Sequence, residues 1–266
     1  MKVNDAIKIL NDWAPEETAQ EWDNVGLLIG SESDDLSGIL VALDITEMVV
    51  KEAVKTDSNL VVTHHPIIFD PLFKLKSNEY PASVIINIIK NDISVYSMHT
   101  NLDAVKGGVN DQLAKKLNLT EVEPIGSDAI GHLGRIGKTV EKIKLGDFLD
   151  MVKVALKVEA LKYQGNLEDN VKSVAICSGS GGSFLESVIE LGADVFVSSD
   201  IKHSHWLQAK NRISLVDAGH YESEQVILDL IVSQLKSGLA SSDISVARSE
   251  TETNPLKLFN GNSDIN

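Results

Sequence analysis

One cysteine in 266 residues leaves no partner for a disulfide within the chain. Cys177 therefore points to a reducing compartment, and the cytoplasm is the expected location. Long apolar runs are missing as well. Val84-Ile-Ile-Asn-Ile-Ile89 is far too short to cross a bilayer, and no apolar block follows Lys2 as in a signal peptide. Positive charge is scarce, with 24 Lys and Arg against 39 Asp and Glu, a formal charge of −15. This balance works against a nucleic-acid partner, whose affinity comes largely from Lys and Arg displacing counterions. It suits a solvated surface and is compatible with bound divalent cations. The length allows one large or two moderate α/β domains, with enough core to fold unaided by disulfide or metal.

What is present centres on Asn59-Leu-Val-Val-Thr-His-His-Pro66. Apolar, β-prone residues run into two adjacent histidines, and Pro66 then stops the ladder. The stretch reads as a buried strand whose carboxyl end presents imidazoles, the end at which open α/β sheets bind ligands. The plainer alternative is one histidine bonded inside a turn and its neighbour facing water.

Around this stretch, short apolar strands alternate with amphipathic helices. Asn4 or Asp5 caps a first helix that Pro15 closes, Gly38 to Asp44 is a strand ending in an acid, and Thr46 caps the helix after it. Ile93 to Thr100 is the next strand, delivering His99, Asn101 and Asp103, and Gly107-Gly108 turns into a further helix. Such alternation indicates a largely parallel sheet covered on both faces. Composition changes at the turn-rich Pro124–Gly131, a boundary, before one helix from Leu145 to Val158. The rhythm then recurs in strands 173–178, 194–199 and 213–217 with helices between them. A structural duplication would explain that, though rhythm without residue identity does not establish it. Ile244 to Arg248 can return as an edge strand, with fraying beyond Pro255.

The second signal is Asp217-Ala-Gly-His-Tyr-Glu-Ser-Glu224. On a helix starting there, His220 and Glu224 at i and i+4 share one face and reach a single ion. An ordinary helix start, with acids near the positive end of the dipole, fits equally well. Jointly, His64, His65, His99, Asp103, His220 and Glu224 all fall at or just after carboxyl ends of predicted strands. Imidazole and carboxylate without cysteine is the ligand set of Zn²⁺, Fe²⁺ or Mn²⁺ in open sites. Six donors exceed what one tetrahedral ion uses, so a two-metal hydrolytic centre is the economical reading.

Other residues leave two readings open. Ser178-Gly-Ser-Gly-Gly-Ser183 is a phosphate or carboxylate cradle or a plain tight turn. Lys202 and His203 contact an anionic substrate or simply face solvent. His205 is expected at the surface, His132 in a structural role, Cys177 buried and inert, and Trp22 in the core or a pocket wall.

Thr63-His-His-Pro66, His99-Thr-Asn-Leu-Asp103, Ser199-Asp-Ile-Lys-His203 and Asp217 to Glu224, with Trp22-Asp-Asn-Val-Gly26 near the start, resemble the Nif-three-like (NGG-one-interacting factor three) di-metal family. Its bacterial members are named GTP cyclohydrolase I type 2 homologues. The resemblance spans nearly the whole chain in order and spacing. It implies two interleaved α/β lobes with mostly parallel or mixed sheets, 1–124 plus 221–266 as the first and 125–220 as the second, and a dinuclear metal site in the cleft between them. The implied metal ligands are His64, His65, Asp103, His220 and Glu224, holding two divalent cations of Zn, Fe or Mn. His99 then either backs the ligands or faces the substrate, and it is the better candidate than Glu222 for proton relay. The implied assembly is a toroidal homohexamer, a trimer of dimers. The implied reaction is hydrolysis of GTP, in which water activated by the metals attacks C8 of the guanine ring and formate leaves. A triphosphate approaching this acidic chain needs local cations, and Lys106, Lys202, the glycine loop and the metals are the available ones. A non-catalytic metal-binding scaffold or regulatory protein, or a phosphoesterase or amidohydrolase using the same site, are the alternatives.

Overall fold

The apolar runs pair into two sheets. The computed structural model describes residues 1–125, 132–251 and 254–258. From the amino end come α1 (Val3–Trp13), β1 (Gly26–Ile29), β2 (Gly38–Ala42), α2 (Glu47–Lys55), β3 (Leu60–Thr63), α3 (Ala82–Lys90), β4 (Ser94–Ser97), α4 (Thr100–Ala104) and α5 (Val109–Lys116). The chain continues through β5 (Thr120–Ile125), β6 (Gly134–Lys144), α6 (Leu145–Leu156), β7 (Lys162–Gln164), β8 (Asn170–Ile176), α7 (Leu185–Glu190), β9 (Val195–Ser198), α8 (His203–Ala209) and β10 (Ser214–Asp217). It ends in α9 (His220–Glu224), α10 (Leu228–Gly238) and β11 (Ser245–Arg248).

The first sheet has the order β1-β4-β3-β2-β11, parallel except for β1 at its edge. The second, β5-β6-β8-β9-β10-β7, is parallel only across β8, β9 and β10. The architecture is therefore α/β with mixed sheets. Every residue of β3 is buried, which is why Leu60-Val-Val reads as a continuous apolar run instead of an alternating one. Each such side chain contributes about 1.5–3 kcal/mol by leaving water. One face of the first sheet packs on Leu10 of α1 and Ile231 of α10, the other on Val50 of α2 and Ile88 of α3. Phe148 of α6 and Leu113 of α5 cover one face of the second sheet, and Leu185 of α7 and Ala209 of α8 the other.

Local signals account for the starts of α1 and α2. Asp5 accepts from the Lys2 amide at 2.8 Å, closing α1 from inside its first turn, so the cap position itself belongs to Lys2. Thr46 caps α2 by accepting from the Val49 amide at 3.3 Å. Pro124 lies within β5, an edge strand where its missing N–H costs nothing, so the second sheet begins before the expected boundary. Residues 126–131 of that boundary, and 259–266 of the expected frayed end, lie outside the described residues.

Both parallel blocks share one plan, three consecutive strands laid side by side with a helix in each connection. Hence the stretches after β2, β3 and β4 occupy the same end of the first sheet, as those after β8, β9 and β10 do in the second.

Candidate metal centre

The β3 ladder continues past its last strand residue, because the His64 and His65 amides donate to Ala42 and Leu43 at 3.3 and 2.9 Å. The two imidazoles are thus fixed at the carboxyl end of the sheet. His64 is fully buried, its Nδ1 lies 2.7 Å from the Met98 carbonyl, and burial pushes its pKa down to about 3. A neutral imidazole facing a carbonyl must donate from Nδ1. Nε2 is therefore left as a bare lone pair, and it is buried with no hydrogen-bond partner.

Three more imidazoles repeat this arrangement. Nδ1 of His65 is 2.9 Å from Asp44 Oδ1, Nδ1 of His99 is 2.8 Å from Asp23 Oδ1, and Nδ1 of His220 is 2.6 Å from Asp200 Oδ2. Each ring is anchored by one nitrogen, so the other turns inward. There, Nε2 of His65 and of His220 approach each other to 3.3 Å, and both lie 3.0 Å from Glu224 Oε2. Nε2 of His64 is 3.8 Å from Asp103 Oδ1 and 3.8 Å from Glu224 Oε1. Donors about 2.1 Å from one ion sit roughly 3.0–3.4 Å apart in octahedral or tetrahedral geometry, close to these separations. Two overlapping groups emerge, His64 with His65 and His99, and His65 with His220 and Glu224; within each, ligand atoms lie no more than 4.8 Å apart.

The electrostatics fit a cation. Burial opposes charge on Glu224, yet His220 and His65 hold its carboxyl well below the usual range. In turn, and against their own burial, Asp44 and Glu224 raise His65 to about 10, and Glu224 with Asp200 raises His220 to about 9. Burial, then the Glu224 charge, pushes Asp103 up to about 7. Glu224 Oε2 has no aligned hydrogen-bond donor, although two imidazole nitrogens are within 3.0 Å of it. A bare imidazole nitrogen and a bare carboxylate oxygen, both buried and aimed into one space, match the hard and borderline donors that Zn²⁺, Fe²⁺ and Mn²⁺ take.

The chain matches the model of the family Duf34/NIF3 (NGG1p interacting factor 3) over residues 1–255. This chain belongs to the NIF3 family. A Clostridium perfringens protein named GTP cyclohydrolase 1 type 2 homolog is 34% identical over 265 residues, 97% of this chain and 100% of that one. The crystal structure of a Staphylococcus aureus hypothetical protein superposes with a TM-score of 0.89 at 32% identity, covering 97% of this chain and 99% of that chain. A Bacillus cereus protein related to NIF3 does so with a TM-score of 0.90 at 25% identity and the same coverage.

In this NIF3-family chain all six sequence-predicted donors converge, and His99 stands with His64 and His65 rather than apart from them. Half of the amides in the glycine loop are already committed within the protein. Amides of Ser178, Gly179 and Gly181 donate to Asn110 Oδ1, Ser223 Oγ and Ser198 Oγ, so they are not free for an anion. Gly179 has φ +59°, and a Cβ there would fall 2.1 Å from Glu224 Oε1, so the loop lies directly against the donors. Lys202 and His203 are exposed at the start of α8. His205 is only half-buried, but its Nδ1 lies beneath Gly182 and away from solvent, so it is not simply a surface residue. Cys177 is buried, and burial raises its thiol pKa. Trp22 is not a core residue, being 59% exposed.

Sequence reasoning named the histidines and missed what orients them. Asp44 and Asp200 lie just past the ends of β2 and β9, and Asp23 sits beside Trp22. The available signal was chemical: a ligating imidazole needs an acceptor for its second nitrogen, and acids at neighbouring strand ends are within reach.

Proposed function

We propose that this protein holds two divalent cations between the carboxyl ends of its two sheets and hydrolyses a small-molecule substrate there. The observation that carries this reading is the set of four imidazoles anchored at Nδ1 and turned inward, in two donor groups that share His65. His64, His65, Asp103, His220 and Glu224 would hold the ions. Zn²⁺, Fe²⁺ or Mn²⁺ supplies Lewis acidity and lowers the pKa of nearby water. His99, fixed on Asp23, keeps Nε2 toward the same space and can take or give a proton there. Thr100 also donates to Asp23 from both amide and hydroxyl, and these bonds with His99 outweigh burial and hold its carboxyl down to about 2. The orienting acid is therefore ionised whenever His99 works.

The name of the Clostridium perfringens relative extends the proposal to GTP as substrate, with opening of the guanine imidazole ring and release of formate. Among the described residues no helix is long and apolar enough to cross a membrane. Metal-loaded protein incubated with GTP should release formate, and His64→Ala should abolish release by removing a buried donor. Release that survives His64→Ala contradicts the proposal.

A further inference from the structure

Trp22 and Phe69 are large apolar side chains left 59% and 47% exposed beside the donor cluster. Their ring centroids are 5.9 Å apart and their planes meet at 51°, a tilted pair in contact with each other that still leaves part of each ring open. Both stand edge-on to His99, at 6.2 and 6.3 Å, and His99 is 5.2 Å from His64 and 5.6 Å from His65. The aromatic pair thus adjoins the donor cluster.

Its rings are held in place before any ligand arrives. Next to Trp22, Asp23 is clamped by His99 and Thr100. Asn24 Nδ2 donates to the Ile68 carbonyl at 2.5 Å, tying the segment that carries Phe69 to the one that carries Trp22. Three successive residues therefore do three jobs: Trp22 offers one aromatic face, Asp23 orients His99, and Asn24 ties down the segment that carries the second. Rigid aromatic faces lose little entropy on binding, and every nucleobase has a π-face to stack on them.

We infer that Trp22 and Phe69 form the recognition site for a planar purine ring, delivering it edge-first to His99 and the metal donors. This rests on the hydrolase reading for the purpose of the ring, but not for its binding. Phosphate groups of the same substrate would be recognised separately, by charge.

The test uses metal-loaded, full-length protein titrated calorimetrically with two probes, guanosine, which has the ring without phosphate, and inorganic triphosphate, which has phosphate without the ring. Trp22→Ala should weaken guanosine binding by about tenfold or more, with triphosphate affinity and metal content unchanged. Trp22→Phe should keep most of the affinity, and Phe69→Ala should weaken it. Phe73→Ala is the control, since Phe73 lies in the same segment at 95% exposure. Guanosine binding that is absent from the wild type, unchanged in Trp22→Ala, or reduced equally in Phe73→Ala overturns the inference. A change in particle mass in Trp22→Ala with guanosine affinity intact also overturns it, and assigns the aromatic pair to contact with a second copy. A protein that binds guanosine through Trp22 yet releases no formate from GTP would fail the hydrolase reading and retain the aromatic recognition site.

Discussion

His64 shows how much one side chain can state. Buried completely, neutral, and committed at Nδ1 to the Met98 carbonyl, it has one chemical option left, to donate a lone pair from Nε2. The histidines were legible because two imidazoles ending an apolar run have few structural uses. Their acidic anchors were not, because Asp23, Asp44 and Asp200 are far from them along the chain and acids are common at strand ends. Asp200 is half-exposed, so replacing it should leave the fold intact. Asp200→Asn should lower metal affinity by about 10- to 100-fold through a misoriented His220, with an unchanged circular dichroism spectrum. Equal affinity in competition titrations with a chromogenic chelator would show that Asp200 does not position the ring.

At the scale of elements, strands read as unbroken apolar runs are found where expected, because strands buried on both faces leave no polar positions. The short α4 was not read, since Thr100 to Ala104 is one turn with no period to detect. The contacts that secure the carboxyl-terminal segment were equally hidden. Glu52 of α2 accepts from the Glu250 amide at 2.9 Å and from the Ser249 and Thr251 hydroxyls at 2.6 Å each. Burial opposes it, yet these bonds lower the Glu52 pKa from its ordinary 4.5. A carboxyl whose folded pKa is depressed stabilises the fold fully above the unfolded pKa, and the contribution disappears as pH falls through the folded value. Wild type should therefore exceed Glu52→Gln in urea midpoint near neutrality, and the gap should shrink as pH falls below the ordinary 4.5. A gap that is constant with pH would mean the bonds do not depend on the charge.

For the whole molecule, the alternation of strands and helices made the α/β class legible, and the recurrence of the rhythm is a real repeat of topology across β2-β3-β4 and β8-β9-β10. The division into two sheets was less so. Antiparallel β5 and β7 are mostly exposed and β6 is buried only along its first half, so none of them reads as an apolar run that shows which sheet it joins. Long-range closure is what builds the centre, since His65 and His220, 155 positions apart, come to 3.3 Å only when both sheets are formed. Assembly is likewise a property of the complete surface. We propose a homohexameric ring, for which analytical ultracentrifugation should give six times the 28.9 kDa chain mass. A monomer at all concentrations would contradict it.

Metal stoichiometry decides whether the converging donors are a centre at all. Protein purified from its own host and analysed by inductively coupled plasma mass spectrometry should carry about two divalent cations per chain, and His65→Ala, which removes the donor common to both groups, should carry about one or none. Stoichiometric metal unaffected by His65→Ala, or wild-type protein that binds no divalent cation at micromolar concentration, would contradict the two-ion centre.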